Sequence, residues 1–166
     1  MNNEIEAELY KKYPALFSSR LDRTSPMIFG CEHGDGWANL IRAMCSSLSG
    51  QEGVTFSQIK EKFGTLRVYR NGPGGDFADG VIRMAEDMSR YVCEVCGNPG
   101  KTRGKGWLST LCDRCEKKSI SNLERESLET AMALLRPEDY PSHKSAHDSI
   151  RSLLERLSPP AGTDDG

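Results

Sequence analysis

Four of the six cysteines stand in two C-x-x-C pairs, Cys93/Cys96 and Cys112/Cys115, with the sequence GNPGKTRGKGWLSTL between them. C-x2-C-x15-C-x2-C is a zinc-module spacing. Thiolates are soft ligands that suit zinc, and four of them fill its tetrahedral shell, leaving no position for a water or a substrate. The chemistry to expect is therefore structural: one zinc ion ordering a loop. That loop offers only Trp107, Leu108 and Leu111 as sizeable apolar groups, too few for a core of its own. Zinc bound by such a site contributes about 10–16 kcal/mol of apparent free energy in small modules.

The residues around the pairs describe how the ligands are held. Gly97 follows Cys96 and permits the tight turn of a knuckle, whereas Cys112-Asp113-Arg114-Cys115 leads into helical periodicity. Thiolates at a helix start gain from unpaired amides and the positive end of the dipole. Knuckle, short hairpin, then helix is the order of a treble clef or zinc ribbon.

A second set of reactive types, Cys31, His33 and Asp35, lies in the Gly-rich GCEHGDGW segment. A Cys/His/Asp set can form a nucleophile and base. Asp35 as a helix cap and His33 as a polar loop residue account for the same letters more simply. Cys45 falls on an apolar helical stripe and reads as a small buried hydrophobe. His143 and His147, four apart, can share a helix face as metal pairs do, yet no H-E-x-x-H pattern accompanies them and exposed histidines are the plainer reading. NGPGG lacks the Gly-Lys-Ser/Thr ending of a phosphate loop and reads as a turn.

Cations gather near the cysteines: Lys101, Arg103 and Lys105, with Lys60, Lys62, Arg67 and Arg70 on a neighbouring hairpin. They offset the two net negative charges of a zinc tetrathiolate, or they meet phosphate. Over the whole chain, 22 basic residues face 24 acidic ones and the pI is near 6.0, against a protein that coats nucleic acid or an anionic membrane. Glu116, Glu124, Glu126 and Glu129 also argue against a DNA-reading helix after Cys115. No stretch approaches a membrane span, and the polar N-terminus is unlike a signal peptide, which places the chain in a cytoplasm where thiols stay reduced.

The elements that must position these residues follow from periodicity. A helix from Glu4 to Tyr13 carries Ile5, Leu9 and Tyr13 and stops at Pro14, and a second follows Asp35 with Trp37, Leu40, Ile41, Met44, Cys45 and Leu48 inward. Met27, Ile28 and Phe29 make a short buried strand or loop anchor. VTFSQIKEK and TLRVYR form a hairpin turning at Phe63-Gly64. Asp76 caps a helix with the stripe Phe77, Val81, Met84, Ala85, Met88 and Val92 that runs into Cys93. A long helix with Ile120, Leu123, Leu128, Ala131, Leu134 and Leu135 ends at Pro137, and Ser142 caps a last one with Ala146, Ile150, Leu153, Leu154 and Leu157. The expected fold class is α+β, a β-hairpin with packed helices and a treble-clef or zinc-ribbon-like structural zinc module. Its parts are an α+β region (1–92), the zinc module (93–118), C-terminal helices (119–157) and a disordered tail (158–166).

GDGW (34–37), IKEKFGTLRVY (59–69), CEVCGNPG (93–100) and GWLSTLCDRC (106–115) together resemble a family of small proteins of bacteriophages and prophages, over roughly half the chain. The resemblance implies an accessory protein inside a bacterial cell, of a kind that binds and inhibits or redirects host machinery, including defence systems. Only the four cysteines carry over as ligands. The expectation is a non-enzymatic protein that binds a host protein, with a nucleic-acid-binding regulator and an enzyme using Cys31, His33 and Asp35 as alternatives. Periodicity leaves the oligomeric state open.

Overall fold

A computed structural model of the chain describes residues 1–134 and 143–157. Leu135, the stop at Pro137, the cap at Ser142 and the tail 158–166 lie outside the described residues. The chain divides into two compact units, Met1–Cys115 and Glu116–Gly166, so the four cysteines belong with the α+β core.

In the first unit, helix α1 (Asn3–Lys12) starts where the Asn2 carbonyl oxygen of the side chain accepts the Ile5 amide, and ends at Tyr13 before Pro14. Pro26–Phe29 forms a single 3-10 turn rather than a strand; it buries Met27 and leaves Phe29 in water. Strand β1 (Cys31–Glu32) then precedes helix α2 (Ala38–Leu48), whose inner face carries Ile41, Met44, Cys45 and Leu48 as expected. Asp35 does not cap it. Its carboxylate instead accepts the backbone and side-chain N–H groups of Asn2, at 2.7 and 3.0 Å, and ties the start of the chain to this loop.

Strands β2 (Thr55–Lys62) and β3 (Thr65–Asn71) form the expected antiparallel hairpin, with β1 parallel on the other side of β2, giving the order β1-β2-β3. Phe63 and Gly64 both take positive φ, 56° and 75°, the requirement of a two-residue turn that matches the twist of its strands. Phe56, Ile59, Leu66 and Val68 face the core, where Phe56 meets Phe17 edge-on at 5.2 Å.

Helix α3 (Gly75–Ser89) has Gly74 at its N-cap position, so Asp76 lies inside its first turn and is not the cap. Its inner face is also one step round from the expected stripe: Ala78, Ile82, Ala85 and Ser89 are buried, while Phe77, Met84 and Met88 are exposed. The reason is the open edge of β3. Ser89 Oγ accepts the Leu66 amide and Glu86 Oε1 the Val68 amide, both at 2.9 Å, so the helix covers an edge strand with polar acceptors. Three of the four buried residues on that face, Ala78, Ala85 and Ser89, are small, and Phe77, Met84 and Met88 point away.

A short antiparallel ladder of β4 (Lys101–Arg103) and β5 (Ser109–Leu111) completes the unit. The helix α4 (Asp113–Leu134) opens within it and continues into the second unit, which also holds α5 (Lys144–Leu157), where Leu154 is buried. No helix among the described residues is long and apolar enough to cross a membrane.

Candidate metal centre

α3 ends at Ser89, and the chain reaches Cys93 through a Val92–Pro99 bridge that folds residues 93–98 into a knuckle. Three amides shape it: Cys93 N–H donates to Asn98 O at 2.7 Å, Gly97 N–H to Cys93 O at 2.9 Å and Gly100 N–H to Tyr91 O at 2.8 Å. Gly97 has φ 77°, as the sequence anticipates for the turn after Cys96. The ladder of β4 and β5 returns the chain to Cys112, and α4 starts one residue later, so Cys115 sits in its first turn and directs its amide at Cys112 Sγ, 3.4 Å away.

All four sulfurs lie within 4.8 Å of one another, with Cys96 and Cys112 3.6 Å apart. Around zinc, tetrahedral bonds of about 2.3 Å put sulfurs about 3.8 Å apart, so the group fits a single ion. Asn98 Nδ2 adds a donor to Cys96 Sγ at 3.4 Å. Cys96 is pushed down to about 6, chiefly by the backbone N–H of Asn98, while burial and its three sulfur neighbours push Cys115 up to about 12. A dication favours the ionised form of all four. This is the one cluster of three or more metal-binding side chains among the described residues, and neither His143 nor His147 belongs to it.

The knuckle is set into the core by GDGW, a relation that spacing alone does not reveal. Gly36 N–H donates to Glu94 O at 2.8 Å, and Trp37, fully buried, donates its indole N–H to Val92 O at 2.8 Å. A Cβ at Gly36 would stand 2.1 Å from Cys93 O and 2.5 Å from Gly97 N; one at Gly34 would stand 2.2 Å from Glu94 O. These two glycines are required by backbone meeting backbone. From the other side, Thr110 Oγ1 donates to Gly64 O at 2.6 Å in the turn of β2 and β3, and Thr110 O accepts the Glu94 amide at 2.9 Å. The legible signal was a tryptophan next to two glycines: a buried indole N–H needs an acceptor.

The other expected site residues separate. Cys31 is buried beneath the Glu6 carboxylate, and that burial pushes its thiol above the ordinary range. His33 is buried with Nδ1 against Gly34 O at 2.8 Å and Nε2 without a partner, and burial pushes it down to about 4. Asp35 serves Asn2. The His33 amide donates to Cys31 O at 3.0 Å, but no side-chain hydrogen bond joins these three, so the geometry does not assemble a nucleophile and base. Cys45 is a buried apolar residue whose thiol is pushed up to about 12 by burial.

Of the seven expected contact cations, the three arginines are engaged within the fold, Arg67 through Leu66 O at 2.7 Å. Arg70 binds Asp79 at 2.8 Å together with the carbonyls of Gly72 and Pro73, which closes the NGPGG turn from inside. Arg103 donates to Leu111 O at 3.0 Å and pairs with Asp113, bracing the ladder against the start of α4. Lys62, Lys101 and Lys105 are exposed, and Lys60 and Arg67 are half-buried neighbours across the hairpin. Between the two hairpin tips lies a cleft of about 180 Å³ lined by Glu61, Lys62, Phe63, Gly106, Trp107 and Leu108. Trp107 does not fill the interior of the module: it is 82% exposed, and Phe63 is 67% exposed.

Comparisons with protein-family models, with curated proteins and with solved structures return no match.

Proposed function

We propose that this chain is a non-enzymatic binding protein scaffolded by one structural zinc ion, in which Cys93, Cys96, Cys112 and Cys115 are the ligands and the metal module is of treble-clef type. The observation that carries this reading is the closed four-sulfur group wedged between GDGW and the turn of β2 and β3. Four thiolates fill the shell of zinc, so the ion contributes by holding backbone in place. What it holds is an edge where two hairpin tips present Phe63 and Trp107 to water, and that edge is the working surface. Its partner is a macromolecule of a bacterial cell, and the chain acts there as a phage or prophage accessory that inhibits or redirects host machinery; the four-motif resemblance supports this setting.

Native mass spectrometry of the purified protein should find one zinc, and the metal should resist exchange with small ligands. Less than one metal equivalent, or an ion that takes up added ligands while the protein stays folded, would overturn the scaffold reading. Affinity capture with Phe63→Ala/Trp107→Ala should lose partners that the parent chain retains. Unchanged capture would move the working surface elsewhere.

A further inference from the structure

We infer that the cleft between the two hairpin tips binds single-stranded nucleic acid, with an unpaired base stacked on Phe63 and Trp107 and the backbone phosphates met by Lys62, Lys60 and Lys105. This rests on the assignment of that edge as the working surface and names the class of partner.

The cleft volume of about 180 Å³ equals about six waters at about 30 Å³ each, room for one planar heterocycle. Its two rings do no work inside the fold, since both are mostly in water. Phe63 moreover holds φ 56°, a conformation that bulky residues avoid and that asparagine or glycine adopts readily in this turn. A strained aromatic kept at an exposed turn points to a use outside stability.

Charge decides between partners. The chain carries a formal net charge of −2, yet residues 54–71 and 99–112 hold seven cations and the single acid Glu61. Glu61 Oε1 is occupied by the Gly64 amide at 2.6 Å, and Glu32 of β1 by Gln58 Nε2 at 3.2 Å. Arg67, Arg70 and Arg103 each donate to carbonyls of the chain, Arg67 to Leu66 O at 2.7 Å, which leaves lysines as the outward charge. Lys62 Nζ lies 5.4 Å over the Phe63 ring, so a cation flanks that platform, and Lys60 Nζ lies 5.5 Å over the Tyr69 ring on the same hairpin. Lysine is depleted in protein–protein interfaces, whereas aromatic rings beside a positive track are the means of gripping single strands. A base in a duplex keeps both faces stacked on its neighbours and has none to offer the cleft.

Fluorescence anisotropy with labelled oligo(dT) and oligo(rU), against a duplex of equal length, tests the proposal on the full metal-loaded chain. Single strands should bind and quench Trp107, with Trp37 buried and unaffected, and the duplex should bind more weakly. Trp107→Ala and Phe63→Asn should each weaken binding about tenfold or more while retaining one metal equivalent. Lys62→Gln and Lys105→Gln should each reduce the slope of log affinity against log salt by about 0.7. Absence of single-strand binding at low salt, tighter duplex binding, or variants that bind as the parent does would each overturn it. If nucleic acid fails to bind but a captured protein is lost with Trp107→Ala, the nucleic-acid proposal falls and the surface assignment stands. If the aromatic variants change neither, both fall.

Discussion

The two hairpins of the first unit solve the same problem by different means. β2 and β3 run for eight and seven residues, bury Phe56, Ile59, Leu66 and Val68 in the core, and have their outer edge covered by Ser89 and Glu86. β4 and β5 pair three residues each, and Thr110 alone among them is fully buried. A lone short ladder is marginal in water because its few bonds do not offset the backbone entropy of ordering it. The longer hairpin is thus held by apolar burial, whereas the shorter lies between two pairs of cysteines placed to hold a metal ion. The contrast teaches that GNPGKTRGKGWLSTL supplies no core of its own, and that the structural ion proposed for the four cysteines would take its place.

The largest effect should come from removing a ligand. Cys112→Ser should abolish most of a site worth about 10–16 kcal/mol in small modules. Hydrogen exchange should then show the amides of β4, β5 and the knuckle unprotected, with those of Ile59 and Val68 still slow. Loss of protection in both hairpins together would break the contrast and make the unit one cooperative whole.

Next comes the seat of the knuckle. At Gly36 a methyl group meets Cys93 O, Gly97 N and Cys96 N at 2.1, 2.5 and 2.8 Å, all backbone that cannot swing aside. Gly36→Ala should cost about 3 kcal/mol, as forced overpacking does at its upper range, and should loosen the metal as well. Gly80→Ala is the control, since that helical glycine has nothing within 4 Å; it should stabilise by about 1 kcal/mol. Equal melting temperatures for Gly36→Ala and the parent would show that the knuckle does not rest on GDGW.

What could be read beforehand follows the range of the interaction involved. The four cysteines were legible because ligand type and spacing are local, and so was the hairpin, because alternation and Gly64 are local. The inner face of α3 is not legible locally, because Phe77, Met84 and Met88 outweigh Ala78 and Ala85 in any apolar count, while the edge of β3 that Ser89 and Glu86 meet lies elsewhere in the chain. Asp35 and Asp76 have the letters of caps, but Asn2 claims the first and Gly74 precedes the second. Gly34 and Gly36 touch a segment nearly sixty residues away in the chain, and nothing near them names it.

The smallest effect sharpens the contrast from the side of the self-supporting hairpin. Phe63 occupies a left-handed conformation at φ 56°, which costs an L-residue about 1–2 kcal/mol, and most of its ring lies in water, where it returns little. Phe63→Asn relieves that strain and should raise stability by about 1 kcal/mol, read as a higher melting temperature with the metal content unchanged. A hairpin that stands on its own core can carry such a residue. Should the variant instead melt earlier, the ring would be bracing the tip of β4 and β5, and the longer hairpin would be supporting the shorter one through the cleft as well as through Thr110.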